Sequence, residues 1–129
     1  MSDEPTGSPS PEGGEGAALV ISEDRDGVLL LTVSTSQVDD KNADGLSLQL
    51  EQAASALPQP RVVLNLERID YLSSAALGVF IAFRQKLDRE GGKLRLCGLQ
   101  PKIVQVFRLT KLNRAFDIRG DLEGALTDF

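Results

Sequence analysis

The sequence predicts an α/β fold with a mixed, mostly parallel central sheet of four to five strands. Apolar strand-like runs alternate with amphipathic helical stretches, a pattern typical of parallel sheets. The first two runs, 19–21 and 28–33, are separated by a polar turn containing Asp26-Gly27, which indicates a hairpin. The run at 62–66 is almost continuously apolar, as expected of a strand covered on both faces. The predicted order of elements is ββαβαβαβα.

The first predicted helix covers residues 43–56 and follows a polar segment, 34–40, that is expected to be a loop. Asp44 or a neighbour could cap its start, and Pro58 and Pro60 end it. Four apolar residues at helical spacing form its expected inward face: Leu46, Leu50, Ala53 and Leu57.

The stretch 61–91 organises the chain, because it combines the buried strand, a short crossover and the longest helix. Ser73 and Ser74 stand where this helix begins, and serine side chains can satisfy amide groups that the first turn leaves unpaired. Gly91-Gly92 ends the helix. Its predicted core stripe consists of Ala76, Phe80, Phe83 and Leu87.

A second face of the same helix is small and weakly polar. It contains Ser74, Gly78, Ala82 and Gln85, with Ala75 and Val79 at its border. A glycine inside a helix costs about 1 kcal/mol relative to alanine. Close approach by a partner would explain Gly78, and so would packing of this glycine under its own loop.

The remainder of the chain continues the alternation. A strand is expected at 93–97, a helix at 101–109, a short strand at 115–118 and a last helix at 122–127, capped by Asp121. A single cysteine, Cys97, lies in the apolar segment LRLC, where we expect core packing and no disulfide within the chain.

Composition limits the domain organisation and the compartment. The 129 residues suffice for one compact domain, of which 41% is hydrophobic. Residues 1–16 are rich in Pro, Gly and Ser and carry four acids and no base, so we expect a disordered acidic tail followed by a folded domain at 17–129. There is neither an apolar run near 18 residues nor a secretory signal, so we expect no membrane span and a cytoplasmic protein.

Charge and residue content exclude several functions. Residues 17–129 contain 15 acidic and 14 basic residues, without the basic excess typical of nucleic-acid binders, so no direct nucleic-acid partner is expected. The chain has no histidine, which removes the usual nucleophile-activating base and the commonest transition-metal ligand. Neither phosphate-binding glycine motif occurs, and the acids at Asp39, Asp40 and Asp44 match no calcium loop. We therefore expect no enzyme, no cofactor and no metal.

From the residues alone, Ser73 and Ser74 are helix caps or a phosphorylation switch. A phosphate adds roughly -1.5 to -2 charges at neutral pH, and the N-terminus of a helix can receive them. Such a charge would block a docking face without unfolding the domain. Capping and later modification are compatible, because a free hydroxyl can do both in turn.

The segment VVLNLERIDYLSSAALGV and the later segment GGKLRLCGLQPKIVQVFRLTKLNRAFDI resemble the STAS domain family, over about residues 19–126. The similarity is greatest to stand-alone bacterial anti-sigma factor antagonists. It implies a STAS-like fold, with helices mainly on one face of the central sheet, and a partner-switching role. In that role the unphosphorylated antagonist binds an anti-sigma factor, which is also a serine kinase of the GHKL type, and so releases a sigma factor. Phosphorylation by the kinase frees the antagonist, and a PP2C-type phosphatase restores it.

The family's usual junction reads Asp-Ser-Ser-Gly-Leu-Gly, and its first serine is the phosphoacceptor. The resemblance places the acceptor at Ser74 and puts Ser73 at the aspartate position, as a supporting cap or an alternative acceptor. The loop 35–42 corresponds to a segment that often touches the kinase. We expect five residues of the second helix to form the partner-binding face: Ala75, Leu77, Gly78, Val79 and Ala82.

Two alternatives stay open at this point. One is a structural STAS subunit of a stressosome-like or lipid-transport assembly, in which the same helix packs permanently; a large exposed apolar face would favour it. The other is a small-molecule or nucleotide binder, for which the sequence offers no phosphate-cradling loop.

Overall fold

The computed structural model describes residues 18–127 and residue 129. The tail predicted at 1–16 lies outside the described residues, so its prediction stays untested. The main sheet has five strands in the spatial order β1-β2-β4-β6-β7. They are β1 Val20–Arg25, β2 Val28–Val33, β4 Arg61–Asn65, β6 Lys93–Cys97 and β7 Asp117–Arg119. A separate two-stranded sheet pairs β3, Gln37–Val38, with β5, Tyr71–Leu72.

The sheet is mixed, as predicted. Strands β1 and β2 are antiparallel and joined by Asp26 and Gly27, whose φ angles of 54° and 88° make the tight turn that matches the strand twist. The neighbouring pairs β2–β4, β4–β6 and β6–β7 are all parallel. The hairpin and the mostly parallel sheet of the prediction are therefore confirmed.

Three helices cover one face of this sheet: α1 Ala43–Ser55, α2 Ser74–Arg89 and α3 Pro101–Leu109. Their inward residues join the sheet in one hydrophobic core, whose fully buried members include Leu46, Leu50, Phe80 and Phe107. A short helix, α4 Leu122–Leu126, packs on the other face against Val28, Leu30, Val63 and Cys97. The predicted placement of helices mainly on one face is confirmed.

The end of α2 follows the predicted glycine signal. Gly91 has a φ of 78°, the left-handed region that glycine adopts without cost. The Gly92 amide donates a hydrogen bond to the Leu87 carbonyl at 2.8 Å, and the Gly91 amide donates to the Asp88 carbonyl at 3.2 Å. These two bonds satisfy carbonyls that the last helical turn leaves unpaired.

Some local predictions were wrong. Both β3 and β5 fall within segments predicted as loop or crossover, and a 3₁₀ turn, Leu112–Arg114, precedes β7. Asp44 does not cap α1, because the cap position is Asn42, whose side chain makes no capping hydrogen bond to α1. Leu57 does not face the core: α1 ends at Ser55, and Leu57 is 41% exposed.

Candidate functional site

A small parallel sheet fixes the start of α2. β3 and β5 pair so that Gln37 lies opposite Tyr71 and Val38 opposite Leu72. The Ser73 amide donates to the Val38 carbonyl at 2.9 Å, and the Asp70 amide donates to the Ser36 carbonyl at 2.7 Å. The loop before α1 and the first residues of α2 are thereby tied together at the carboxyl ends of the parallel strands.

Ser73 is the N-cap of α2. Its backbone is extended, with φ -84° and ψ 172°, and its hydroxyl oxygen accepts a hydrogen bond from the Ala76 amide at 3.2 Å. Its carbonyl accepts the first helical hydrogen bond, from the Leu77 amide at 3.1 Å. The side chain is half-buried and is committed to the helix start.

Ser74 is the first residue inside α2 and is exposed. Within residues 18–127 and 129, no group hydrogen-bonds to its hydroxyl. The first turn of α2 carries no acidic residue, so no carboxylate of the helix itself offsets the positive end of its dipole. The two adjacent serines thus differ: the Ser73 hydroxyl caps the helix, whereas the Ser74 hydroxyl is exposed and accessible to a modifying enzyme.

Both serines line an open depression of about 490 Å³. The other lining residues come from the loop before α1 and from β5: Asp39, Asp40, Lys41, Tyr71 and Leu72. Tyr71 is 50% exposed, and tyrosines in such positions often anchor protein–protein contacts. Sequence reasoning did not single out Tyr71; the available signal was one aromatic residue two positions before Ser73.

The exposed strip of α2 is narrower than predicted. Ala75, Gly78 and Ala82 are exposed, but Leu77 and Val79 are each only 8% exposed and belong to the hydrophobic core. The expected partner-binding role of Leu77 and Val79 therefore needs correction, because their side chains are already packed inside the domain. We call the exposed residues Ser74, Ala75, Gly78 and Ala82 the docking strip; their role in binding a partner stays a prediction.

Gly78 is not packed under its own loop. Apart from its two chain neighbours and the backbone of α2 itself, a Cβ atom built at this position would meet no heavy atom of the described residues within 4 Å. Packing under its own loop therefore does not explain this glycine, and close approach by a partner stays a prediction.

The remaining candidate for reactivity, Cys97, is fully buried and free of disulfide bonding. Burial raises the pKa of its thiol to about 11, and the negative charges of Glu67 and Asp121 add to the rise. The thiol is therefore protonated at neutral pH and packs against α4, which confirms the predicted core role.

In the part of the chain that the structure describes, no three potential metal-ligating side chains gather into a cluster. None of its helices has the length and apolarity needed to cross a bilayer.

Three features define the class of the protein: a five-stranded mixed sheet, three helices on one face of it, and a serine pair at the start of the second helix. The chain belongs to the STAS domain family, whose profile matches residues 20–125. It is 33% identical over 104 residues to BtrV of Bordetella bronchiseptica, a protein provisionally named an anti-sigma factor antagonist. The matched region covers 81% of this chain and 88% of BtrV. It is 24% identical over 102 residues to the anti-sigma F factor antagonist of Paenibacillus polymyxa, covering 79% and 86% of the two chains.

The crystal structure of an anti-sigma factor antagonist from Mycobacterium paratuberculosis has the same fold, with a TM-score of 0.74 and 27% sequence identity. The match covers 84% of this chain and 90% of that one. The STAS-like fold expected from the sequence is confirmed.

Proposed function

We propose that this protein is an anti-sigma factor antagonist that is switched off by phosphorylation of Ser74. In its unphosphorylated form it binds a GHKL-type anti-sigma factor kinase and so releases a sigma factor. The kinase transfers the γ-phosphoryl group of ATP to the Ser74 oxygen, which loses its proton, and the complex dissociates. A PP2C-type phosphatase hydrolyses the phosphoserine and restores the active form. The names of the relatives support the role, and the resemblance at the serine pair supports the switch.

One observation supports Ser74 over Ser73 as the acceptor. The Ser73 hydroxyl is half-buried and holds the Ala76 amide, whereas the Ser74 hydroxyl is exposed and holds nothing in the described structure. A kinase can therefore modify Ser74 without removing the helix cap. Modification of Ser73 would first require that the cap opens.

The surroundings of Ser74 explain how a phosphate would prevent docking. The depression beside it is already lined by Asp39 and Asp40, and Lys41 is the one basic residue among the described residues that line it. A phosphate adds roughly -1.5 to -2 charges and needs water or cationic partners. A partner shaped to the bare hydroxyl would have to bury this charge, and burial of an unpaired charge is strongly unfavourable.

The docking strip also favours a transient partner over a permanent assembly. It consists of a serine, two alanines and a glycine, which offer little apolar area, whereas obligate interfaces are larger and more hydrophobic. We therefore rank the switching antagonist above the structural subunit.

Substitutions at Gly78 test the docking strip. We expect Gly78→Ala to raise the free energy of unfolding by about 0.5–1 kcal/mol, because alanine is the better helix former and its Cβ has room. We expect Gly78→Gln to remain folded and to weaken binding to the kinase by about tenfold or more, since a long side chain would separate closely packed surfaces. Calorimetric titration with the purified kinase measures the affinity, and urea unfolding measures the stability.

Gly120→Gln is a matched control, because Gly120 is exposed, has no neighbour within 4 Å of a built Cβ and lies outside both the strip and the depression. The Gly120→Gln variant should bind the kinase with the same affinity as the unmodified protein. Equal affinities for the Gly78→Gln and Gly120→Gln variants would remove Gly78 from the interface.

A further inference from the structure

Basic charge is segregated in this domain. Residues 98–116 contain Lys102, Arg108, Lys111 and Arg114 and no acidic residue, and all four are exposed. The rest of residues 17–129 holds ten basic and fifteen acidic residues. A near-neutral domain thus carries a positive region, and such regions raise the local concentration of anions.

A cleft of about 440 Å³ lies beside the end of this basic segment. Its walls come from the second half of α2, the first residues of β6 and the segment leading into β7. Four cationic residues line it. Arg95 forms part of the wall, and the other three come from these separate parts: Arg84, Lys93 and Arg114. Within residues 18–127 and 129, neither Lys93 nor Arg114 forms an ion pair with a carboxylate.

The two aspartates that line the cleft, Asp88 and Asp117, are each paired with an arginine. Asp117 accepts hydrogen bonds from Arg119 Nε at 2.7 Å and from Arg95 Nε at 3.3 Å. The Arg119 hydrogen bond, followed by the charges of Arg119 and Arg95, lowers the pKa of Asp117, so it stays ionised and paired. Asp88 lies 3.5 Å from Arg84 in an exposed pair within α2, a kind of pair that contributes little and that a stronger anion can displace.

Arg95 forms part of the wall and is held in place. Its side chain is only 11% exposed, donates to the carbonyls of Ala125 and Thr127 at 3.0 and 2.8 Å, and lies 4.3 Å from the ring centroid of Phe129. These contacts hold Thr127 and Phe129 against β6. The cleft therefore has one rigid wall, and its more exposed cations can turn toward a ligand.

We propose that this cleft binds a small, multiply charged, phosphate-bearing molecule. Guanidinium groups form paired hydrogen bonds with phosphate oxygens, and Arg84 and Arg114 can provide them from two sides while Lys93 adds a point charge. The volume falls in the range of small-ligand pockets. Arg84 follows Ser74 by ten residues along α2, or about 15 Å, so this site is separate from the serine pair and does not depend on the proposed function.

Titration with sodium pyrophosphate at constant ionic strength tests the proposal. Amide signals in NMR spectra should shift saturably for Lys93, Arg114 and Phe116, and calorimetry should give a one-site isotherm. The double variant Lys93→Gln/Arg114→Gln should lose affinity by about tenfold or more, since it removes two charged contacts. Lys102→Gln/Arg108→Gln removes the same charge from exposed positions outside the cleft and should change the affinity less than about threefold.

An equal loss in both double variants would mean that only the diffuse positive field attracts the anion, and it would overturn the proposal. Linear, unsaturated shifts in the unmodified protein up to millimolar pyrophosphate would overturn it as well, whatever the variants do. A parallel titration with sodium sulfate separates recognition of phosphate groups from general anion binding. Sulfate binding as tight as that of pyrophosphate would contradict a phosphate-bearing ligand.

Discussion

The Ser74→Asp variant is expected to lose affinity for the anti-sigma kinase by about a hundredfold or more and to stay folded. The loss follows from burial of an unpaired carboxylate in the interface, beside the existing charges of Asp39 and Asp40. The fold is retained because Ser74 is exposed and its hydroxyl holds no group in the described structure. An acid in the first turn of a helix also interacts favourably with the helix dipole.

Isothermal titration with the purified kinase measures this loss, and thermal unfolding measures the retained fold. Ser74→Asn is the matched control, since asparagine has nearly the shape of aspartate without its charge. Ser74→Ala should bind nearly as well as the unmodified protein. If Ser74→Asn binds as weakly as Ser74→Asp, bulk and not charge controls docking; if Ser74→Ala also fails to bind, the charge-gate mechanism is rejected.

The Phe80→Ala variant is expected to show the largest loss of stability, about 3–5 kcal/mol of the free energy of unfolding. Phe80 is fully buried in α2, within the core that joins this helix to the sheet and to α1. Its truncation removes transfer free energy and leaves a cavity that close-packed neighbours fill only in part. Because α2 presents Ser74, we also expect weaker kinase binding at temperatures where the variant is partly unfolded.

Urea denaturation followed by circular dichroism measures the Phe80→Ala effect. Leu109→Ala provides the control, because Leu109 is 78% exposed near the end of α3 and its truncation should cost less than about 0.5 kcal/mol. A Phe80→Ala cost below about 1 kcal/mol would show that the packing between α2 and the sheet does not stabilise the domain as described.

The elements that the sequence predicted well are those with a repeated pattern. Ala76, Phe80, Phe83 and Leu87 recur at helical spacing over three turns, and all four are buried. By contrast, β3 and β5 contain two residues each, too few for any periodicity to appear. They exist because their backbone groups pair with each other across 34 positions of sequence, a long-range relation that local patterns do not encode.

The site was predictable in location but not in detail. The serine pair marked the start of α2. The sequence could not show that the Ser73 hydroxyl accepts the capping hydrogen bond whereas the Ser74 hydroxyl is exposed, because this depends on the backbone angles at the helix start. Leu77 and Val79 lie at the border of the helical stripe, where packing of the neighbouring elements decides their burial. The basic cleft was not foreseen, because Arg84, Lys93 and Arg114 come from three elements that only the tertiary fold brings together.

Mapping the phosphosite tests the proposed switch most directly. The purified protein is incubated with its GHKL-type anti-sigma kinase and ATP, and the products are analysed by mass spectrometry. We expect one phosphate per chain, on Ser74, in the unmodified protein and in Ser73→Ala, and none in Ser74→Ala. A phosphate on Ser73, or undiminished incorporation in Ser74→Ala, would contradict the assignment of the exposed serine as the acceptor.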